Sequence, residues 1–169
     1  MVSLTRTRRG DDSGFTLIEL LVTLSVGAVL SGLAGSSLAA WSASNGHKGA
    51  RDEVTSALRA TAQQALSEGR TYCLAFQSDG SWVAYRRSCD SAGVLVQRGS
   101  VNSGGSTLTP TFTYGSGQTS SCTAGASASA CAYFYPRGTA SVGTVTVTRA
   151  GKPTYTVKVE QLTSRVYSN

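Results

Sequence analysis

A chain of 169 residues has room for one globular domain besides any leader or anchor. Only 14% of its residues are charged, 19 are glycine, and Ser and Thr crowd the second half, which excludes a helical enzyme and fits a loop-rich β domain. The excess of 15 basic over 9 acidic residues is mild, and reads first as a solubility feature and only second as a means of meeting anionic partners.

Residues 1–14 form a short basic leader with Arg6, Arg8 and Arg9. An apolar run starts at Phe15, and no residue from Leu20 to Gly46 carries a charge. As a helix that uncharged stretch is about 40 Å long, against a hydrocarbon core of roughly 30 Å. It predicts a membrane-spanning half-helix over 15–43, with the N-terminus cytoplasmic because the arginines precede it. Everything from about Ser44 onward then lies outside the cytoplasm. Gly27, Ser31, Gly32, Gly35, Ser36 and Ser37 keep the helix narrow enough for close packing in lipid. Trp41 stands where an interfacial aromatic belongs. Glu19 does not fit a plain anchor: a carboxylate inside such a run costs ~2.5–3.5 kcal/mol or more unless paired. No cation of the same helix reaches it, so the nearest partner is an amine on another chain.

Asn45-Gly46-His47-Lys48-Gly49 predicts a polar break at the outer membrane surface, with His47 exposed or touching headgroups. From Ala50 to Ser67, Val54, Ala57, Leu58, Ala62, Ala65 and Leu66 form one apolar helical face, and Gly69 ends the helix. The outer amphipathic half is therefore 44–69. The two halves read either as separate helices or as one helix weakened at 46–49.

Residues 70–169 are expected to form a β-rich domain. Residues 71–76 and 82–86 flank Ser78-Asp79-Gly80-Ser81, a hairpin signal. Residues 93–101 read as a third strand and 108–114 as a fourth, which Pro110 confines to an edge or a start. Residues 115–130, rich in Gly, Ser, Ala and Thr, are expected to be a mobile surface loop. Strands follow at 132–138, 142–148, 155–159 and 163–167, the middle two with clear apolar–polar alternation. The fold class is α+β, a long N-terminal membrane-spanning helix packed on an antiparallel sheet.

Cys73, Cys89, Cys122 and Cys131 all follow the apolar run, and an even count outside the cytoplasm reads as two disulfides. Four cysteines allow three connectivities. Cys73–Cys89, bracing a hairpin, and Cys122–Cys131, closing a loop, are favoured. No Cys-x-x-Cys pair accompanies the single histidine, so no metal site is expected. Asp79 and Asp90 are turn formers, Gly104-Gly105 lacks the lysine and helix of a phosphate loop, and no catalytic set can be assembled around His47. Neither enzymatic activity nor a cofactor is expected.

Gly14-Phe15-Thr16-Leu17-Ile18-Glu19, with its basic leader and apolar helix, resembles the class III signal of type IV pilins and pseudopilins. The resemblance implies that a prepilin peptidase cuts between Gly14 and Phe15 and methylates Phe15, and that Glu19 pairs with the new amine of a neighbouring subunit during assembly. Phe134-Tyr135-Pro136-Arg137-Gly138, two alternating strands and Ser164-Arg165-Val166 resemble the C-terminal pattern of the GspH/FimT branch, with Ser164 where a glycine is usual. That branch implies a minor pseudopilin of a type II secretion system, in the bacterial inner membrane with a periplasmic globular domain. Its partners would be the prepilin peptidase, other major and minor pseudopilins or pilins, inner-membrane lipid and secreted cargo. The alternatives are a minor pilin of a type IV pilus, serving initiation or DNA uptake, and a membrane-anchored binding protein that never polymerises. DNA-binding members carry Gly-Arg-x-Arg, whereas Ser164-Arg165-Val166-Tyr167 lacks the glycine and the second arginine. Arg165, Arg149 and Lys152 remain the candidate phosphate contacts, and DNA is not the expected partner.

Overall fold

The computed structural model describes residues 16–90, 92–101, 105–115, 122 and 128–169, without the side chains of 33–40, 128 and 129. The first element is a helix, α1 (Leu17–Glu68). The chain divides into two compact units, Met1–Ala40 and Trp41–Asn169, and each is described by itself.

In the first unit α1 begins at a polar cap. The Glu19 N–H donates to Thr16 Oγ1 at 3.3 Å and to the Thr16 carbonyl at 3.1 Å. Thr16 and Glu19 stand in the Thr-x-x-Glu spacing that caps helix N-termini. Among the described residues no helix is long and apolar enough to cross a membrane. The expected span over 15–43 is therefore not established by the fold.

In the second unit the outer part of α1 buries one face. Ala50, Val54, Ala57, Leu58, Ala62 and Ala65 are all buried. Leu66, expected on that face, is exposed, and Thr61 is buried in its place with its hydroxyl donating to the Ala57 carbonyl at 2.7 Å. Positions 54, 58, 61 and 65 follow the 3.6-residue period, while 66 lies about 100° off it. The helix ends at Gly69, whose φ of +61° is left-handed, and the Arg70 N–H closes back on the Ala65 carbonyl at 3.2 Å. This is the six-to-one closure of a Schellman motif.

Of the two readings at 45–49, separate helices or one weakened helix, the structure has a single helix there, and the exposed His47 is corrected. The helix runs through these residues without interruption. His47 is buried, not exposed, because tertiary contacts override the local glycines. Its Nδ1 lies 2.9 Å from Ser106 Oγ and its Nε2 2.8 Å from the Pro153 carbonyl. A carbonyl only accepts, so Nε2 carries the proton that it donates. The ring also packs on Tyr155 with centroids 5.0 Å apart.

The strands are β1 (Tyr72–Gln77), β2 (Ser81–Arg86), β3 (Val94–Ser100), β4 (Thr107–Thr113), β5 (Ala128–Phe134), β6 (Val142–Thr148), β7 (Tyr155–Val159) and β8 (Val166–Ser168). They form two antiparallel sheets, ordered β3-β2-β1-β5 and β4-β6-β7-β8. Period-two alternation sorts the first sheet into two faces. Tyr72, Leu74, Phe76, Trp82, Ala84, Ala132 and Phe134 share a core with α1 and with Val145, Val147, Val157, Val159 and Val166 of the second sheet. The opposite face carries a second, smaller core of Cys73, Ala75, Cys89, Cys131 and Tyr133. Pro110 sits in β4, at the edge of its sheet. The last strand is shorter and later than expected, Val166–Ser168, because 160–165 form a turn. Residues 116–121 and 123–127, most of the expected mobile loop, lie outside the described residues.

Candidate functional site

Nothing about the N-terminal part of α1 resembles a reaction centre; it is an unsatisfied surface. Leu17, Ile18, Leu20, Leu21, Val22, Leu24, Val26, Val29 and Leu30 are all exposed. They occupy every side of the helix, and a helix apolar all round requires other apolar surface about it. Glu19 is the single acid within this surface and lies in its first turn. There its charge opposes the positive end of the helix dipole. The cap formed by Thr16 is not among the expected features, although the Thr-x-x-Glu spacing signals it. Gly14 and Phe15 lie outside the described residues, as does any bond between them.

The globular unit offers two open grooves. One, of about 500 Å³, runs between α1 and β8 and is lined by Asp52, Thr55, Ser56, Arg59, Ala60, Gln63 and Ser168. The Arg59 guanidinium donates from Nε (3.1 Å) and Nη2 (2.9 Å) to the Val166 carbonyl. It thereby occupies an edge acceptor of β8 that another strand would otherwise use. The other groove, of about 440 Å³, lies over β2 and β3 and is lined by Gln77, Ser81, Trp82, Val83, Arg98, Gly99 and Ser100. The Trp82 indole crosses Gly99 on the paired strand and donates to Glu53 Oε1 at 3.2 Å. Val94, Leu95 and Val96 of the edge strand β3 are exposed. The register with β2 skips Val96, a bulge of the kind that distorts edges.

The two acids expected in turns are in them. Asp79 Oδ1 accepts from the Ser81 N–H (2.8 Å) and hydroxyl (2.6 Å). Asp90 accepts from the Ser88 hydroxyl and the Ala92 N–H, each at 2.8 Å. In both cases the Ser hydroxyl bond is the chief reason the carboxyl titrates below its ordinary value, with the backbone N–H adding to it.

The three candidate phosphate contacts are not brought together. Arg149 and Lys152 share the β6–β7 turn, where Arg149 Nη1 donates to the Ala43 carbonyl at 2.8 Å. Arg165 stands in the turn at the other end of β7, which is about 17 Å of strand away.

Cys73 is paired with Cys89, with Cα atoms 5.7 Å apart, and Cys122 with Cys131, 5.6 Å apart. The first bridge ties β1 to the loop after β2. The second ties residue 122 to β5.

Residues 50–163 match the sequence profile of the family described as type II transport protein GspH. The chain belongs to the GspH family. Residues 9–35 match the prokaryotic N-terminal methylation motif. No curated protein sequence matches closely enough to count as a relative. Solved structures share the fold at low identity. The type IV minor pilin FimU of Pseudomonas aeruginosa is 14% identical, with a TM-score of 0.56, over 74% of this chain and 89% of the pilin. The minor pseudopilin EpsH from the type 2 secretion system of Vibrio cholerae is 11% identical, with a TM-score of 0.54, over 73% of this chain and 94% of EpsH. The helix-plus-antiparallel-sheet arrangement of this GspH-family chain is thus that of type IV pilin-like proteins.

Proposed function

We propose that this protein is a minor pseudopilin of a type II secretion system, built into a periplasmic pseudopilus through its N-terminal helix. The observation that carries the reading is the union, on one chain, of a GspH-family domain over 50–163 and an N-terminal methylation motif over 9–35. The apolar surface of α1 supports it, because that surface calls for either lipid or the helices of other subunits. In this reading the protein is a structural subunit and not an enzyme. A prepilin peptidase cleaves between Gly14 and Phe15 and methylates Phe15. The chain waits in the inner membrane as a single-pass protein with its globular domain in the periplasm. Glu19, held in the first helical turn, then meets the methylated amine of an adjoining subunit, and the apolar helices pack around that pair. Major and minor pseudopilins are the partners, and the exposed grooves of the globular unit are the surfaces available to neighbours or secreted cargo.

Mass spectrometry of the membrane-extracted protein tests the processing step. A mature N-terminus at methylated Phe15 is expected, and recovery of the intact leader in cells with active peptidase overturns it. Glu19→Ala tests the assembly step: secretion undiminished in that variant removes the proposed mechanism. The fold shared with FimU favours a second reading, a minor pilin of a type IV pilus. Loss of piliation with secretion intact, on deletion of the gene, selects it.

A further inference from the structure

Three sulfurs meet in the smaller core. The Sγ atoms of Cys73, Cys89 and Cys131 all lie within 4.8 Å of one another, although Cys131 is bridged to Cys122 and not to either of them. Their placement follows from the strands. Cys73 of β1 faces the same side as Cys131 of β5, whose register partner Ala75 is two residues along. Cys89 is drawn to that face by Tyr133, whose hydroxyl accepts the Cys89 N–H at 3.1 Å. Tyr114 donates to the Cys131 carbonyl at 2.8 Å and fixes the strand that carries the third sulfur. Cys73, Cys89 and Cys131 have no exposed surface, and Cys122 is half-buried. Once β1 and β5 have paired, an external reagent therefore meets Cys122 and none of the other three, and exchange requires access to a sulfur.

We propose that the two bridges form a thiol–disulfide relay, in which Cys131 carries oxidising equivalents from Cys122 to the enclosed pair Cys73 and Cys89. The steps balance as follows in a folded chain whose inner pair is still reduced. One inner thiol, Cys73 or Cys89, loses its proton to solvent, and its thiolate attacks Sγ of Cys131. The Cys122–Cys131 bond breaks, and Cys122 leaves as a thiolate with the electron pair. The second inner thiol loses its proton in turn and attacks the first sulfur, closing Cys73–Cys89, and Cys131 leaves as a thiolate; the two protons released are taken up in the end by the two sulfurs of the external partner. Cys122, now at the surface, attacks an external protein or low-mass disulfide. Cys131 resolves that mixed disulfide, which restores Cys122–Cys131 and leaves the external partner reduced, as a dithiol from a protein or as two thiols from a low-mass disulfide. The net result is oxidation of two inner thiols and reduction of one external disulfide. The relay closes and corrects the inner bridge after folding has sealed it. It is independent of the assembly function proposed above.

The test uses the full-length protein in detergent. Cys122→Ser leaves Cys131 as a thiol beside the intact inner bridge, and Cys122→Ser/Cys131→Ser removes that thiol while sharing the loss of the outer bridge. Both are incubated at about pH 8.5, near the ordinary thiol value, then quenched in acid, unfolded, alkylated and mapped as non-reduced peptides. The single variant is expected to yield a second bridge isomer joining Cys131 to Cys73 or Cys89, with the label moving to the displaced cysteine. The double variant should show Cys73–Cys89 alone. If label in the single variant stays wholly on Cys131, the relay is refuted. Should the single variant not fold, the wild-type protein answers the same question. Substoichiometric glutathione followed by acid trapping is expected to give Cys131 bridged to Cys73 or Cys89. Finding only the native bridges and a Cys122/Cys131 dithiol overturns the proposal.

Discussion

Ser164 is the residue at which this chain departs from the glycine usual in its branch, and the structure gives the departure an energetic sign. Its φ is +50°, in the left-handed region, where a Cβ costs roughly 1–2 kcal/mol. The residue is buried and its hydroxyl has no hydrogen-bond partner, a defect of about 1–3 kcal/mol. Ser164→Gly removes both terms. Against that stands the greater freedom of glycine in the unfolded chain, about 0.4–1 kcal/mol. The lower ends of these ranges leave a net stabilisation of about 1–2 kcal/mol. Ser164→Ala removes the hydroxyl and keeps the Cβ, so it isolates the hydroxyl contribution at about 1 kcal/mol. All the buried described residues lie in the unit Trp41–Asn169, which makes that unit suitable for urea unfolding with its disulfides intact. With a urea slope of ~2 kcal/mol/M, the glycine variant should raise the midpoint by about 0.5–1 M, and the alanine variant by about 0.5 M. A midpoint unchanged or lowered by glycine refutes the reasoning, and equal gains for the two variants show that the strain at this φ is no larger than the freedom glycine gains in the unfolded chain.

Other substitutions probe the remaining contacts. Gly99→Ala places a Cβ inside the van der Waals radius of the Trp82 ring; it should break the Trp82–Glu53 bond and cost about 1–3 kcal/mol, read as a lowered unfolding midpoint with shifted Trp fluorescence. His47→Ala removes two hydrogen bonds and a packed ring. It should cost about 2–4 kcal/mol and raise hydrogen exchange first in α1 near residues 43–51. Asp79 and Asp90 have folded-state pKa values below the ordinary carboxylate value of 3.8. Their contribution is therefore present in full above that value and lost as pH falls through the lowered ones. The hairpin and the Ser88–Ala92 turn should loosen below about pH 4 in the wild type, and Asp79→Asn should flatten that acid limb.

The strands at the C-terminal end were readable in advance because each has one buried and one solvated face, so β6 and β7 alternate in sequence as they do in space. The outer helix was readable for the same reason, apart from Leu66 and Thr61, which exchange roles once the register of the face is fixed by Leu58 and Ala65. What misled was local chemistry overruled at a distance. The glycines beside His47 predict a break, but Ser106 and Pro153, far along the chain, hold the ring and keep the helix intact. The meeting of three sulfurs was likewise invisible, since spacing along the chain carries no information on which strands become neighbours. The exposed apolar surface of the N-terminal part of α1, by contrast, is carried by consecutive residues, and its apolar character and its one acid among the described residues are both plain from the letters.

The clasp of Arg59 on the Val166 carbonyl joins residues 107 positions apart. A ribosome makes the helix long before the clasped residue. The outer part of α1 therefore cannot close this contact until residue 166 has been made. A truncation just before Val166 should accordingly be felt in that earlier helix.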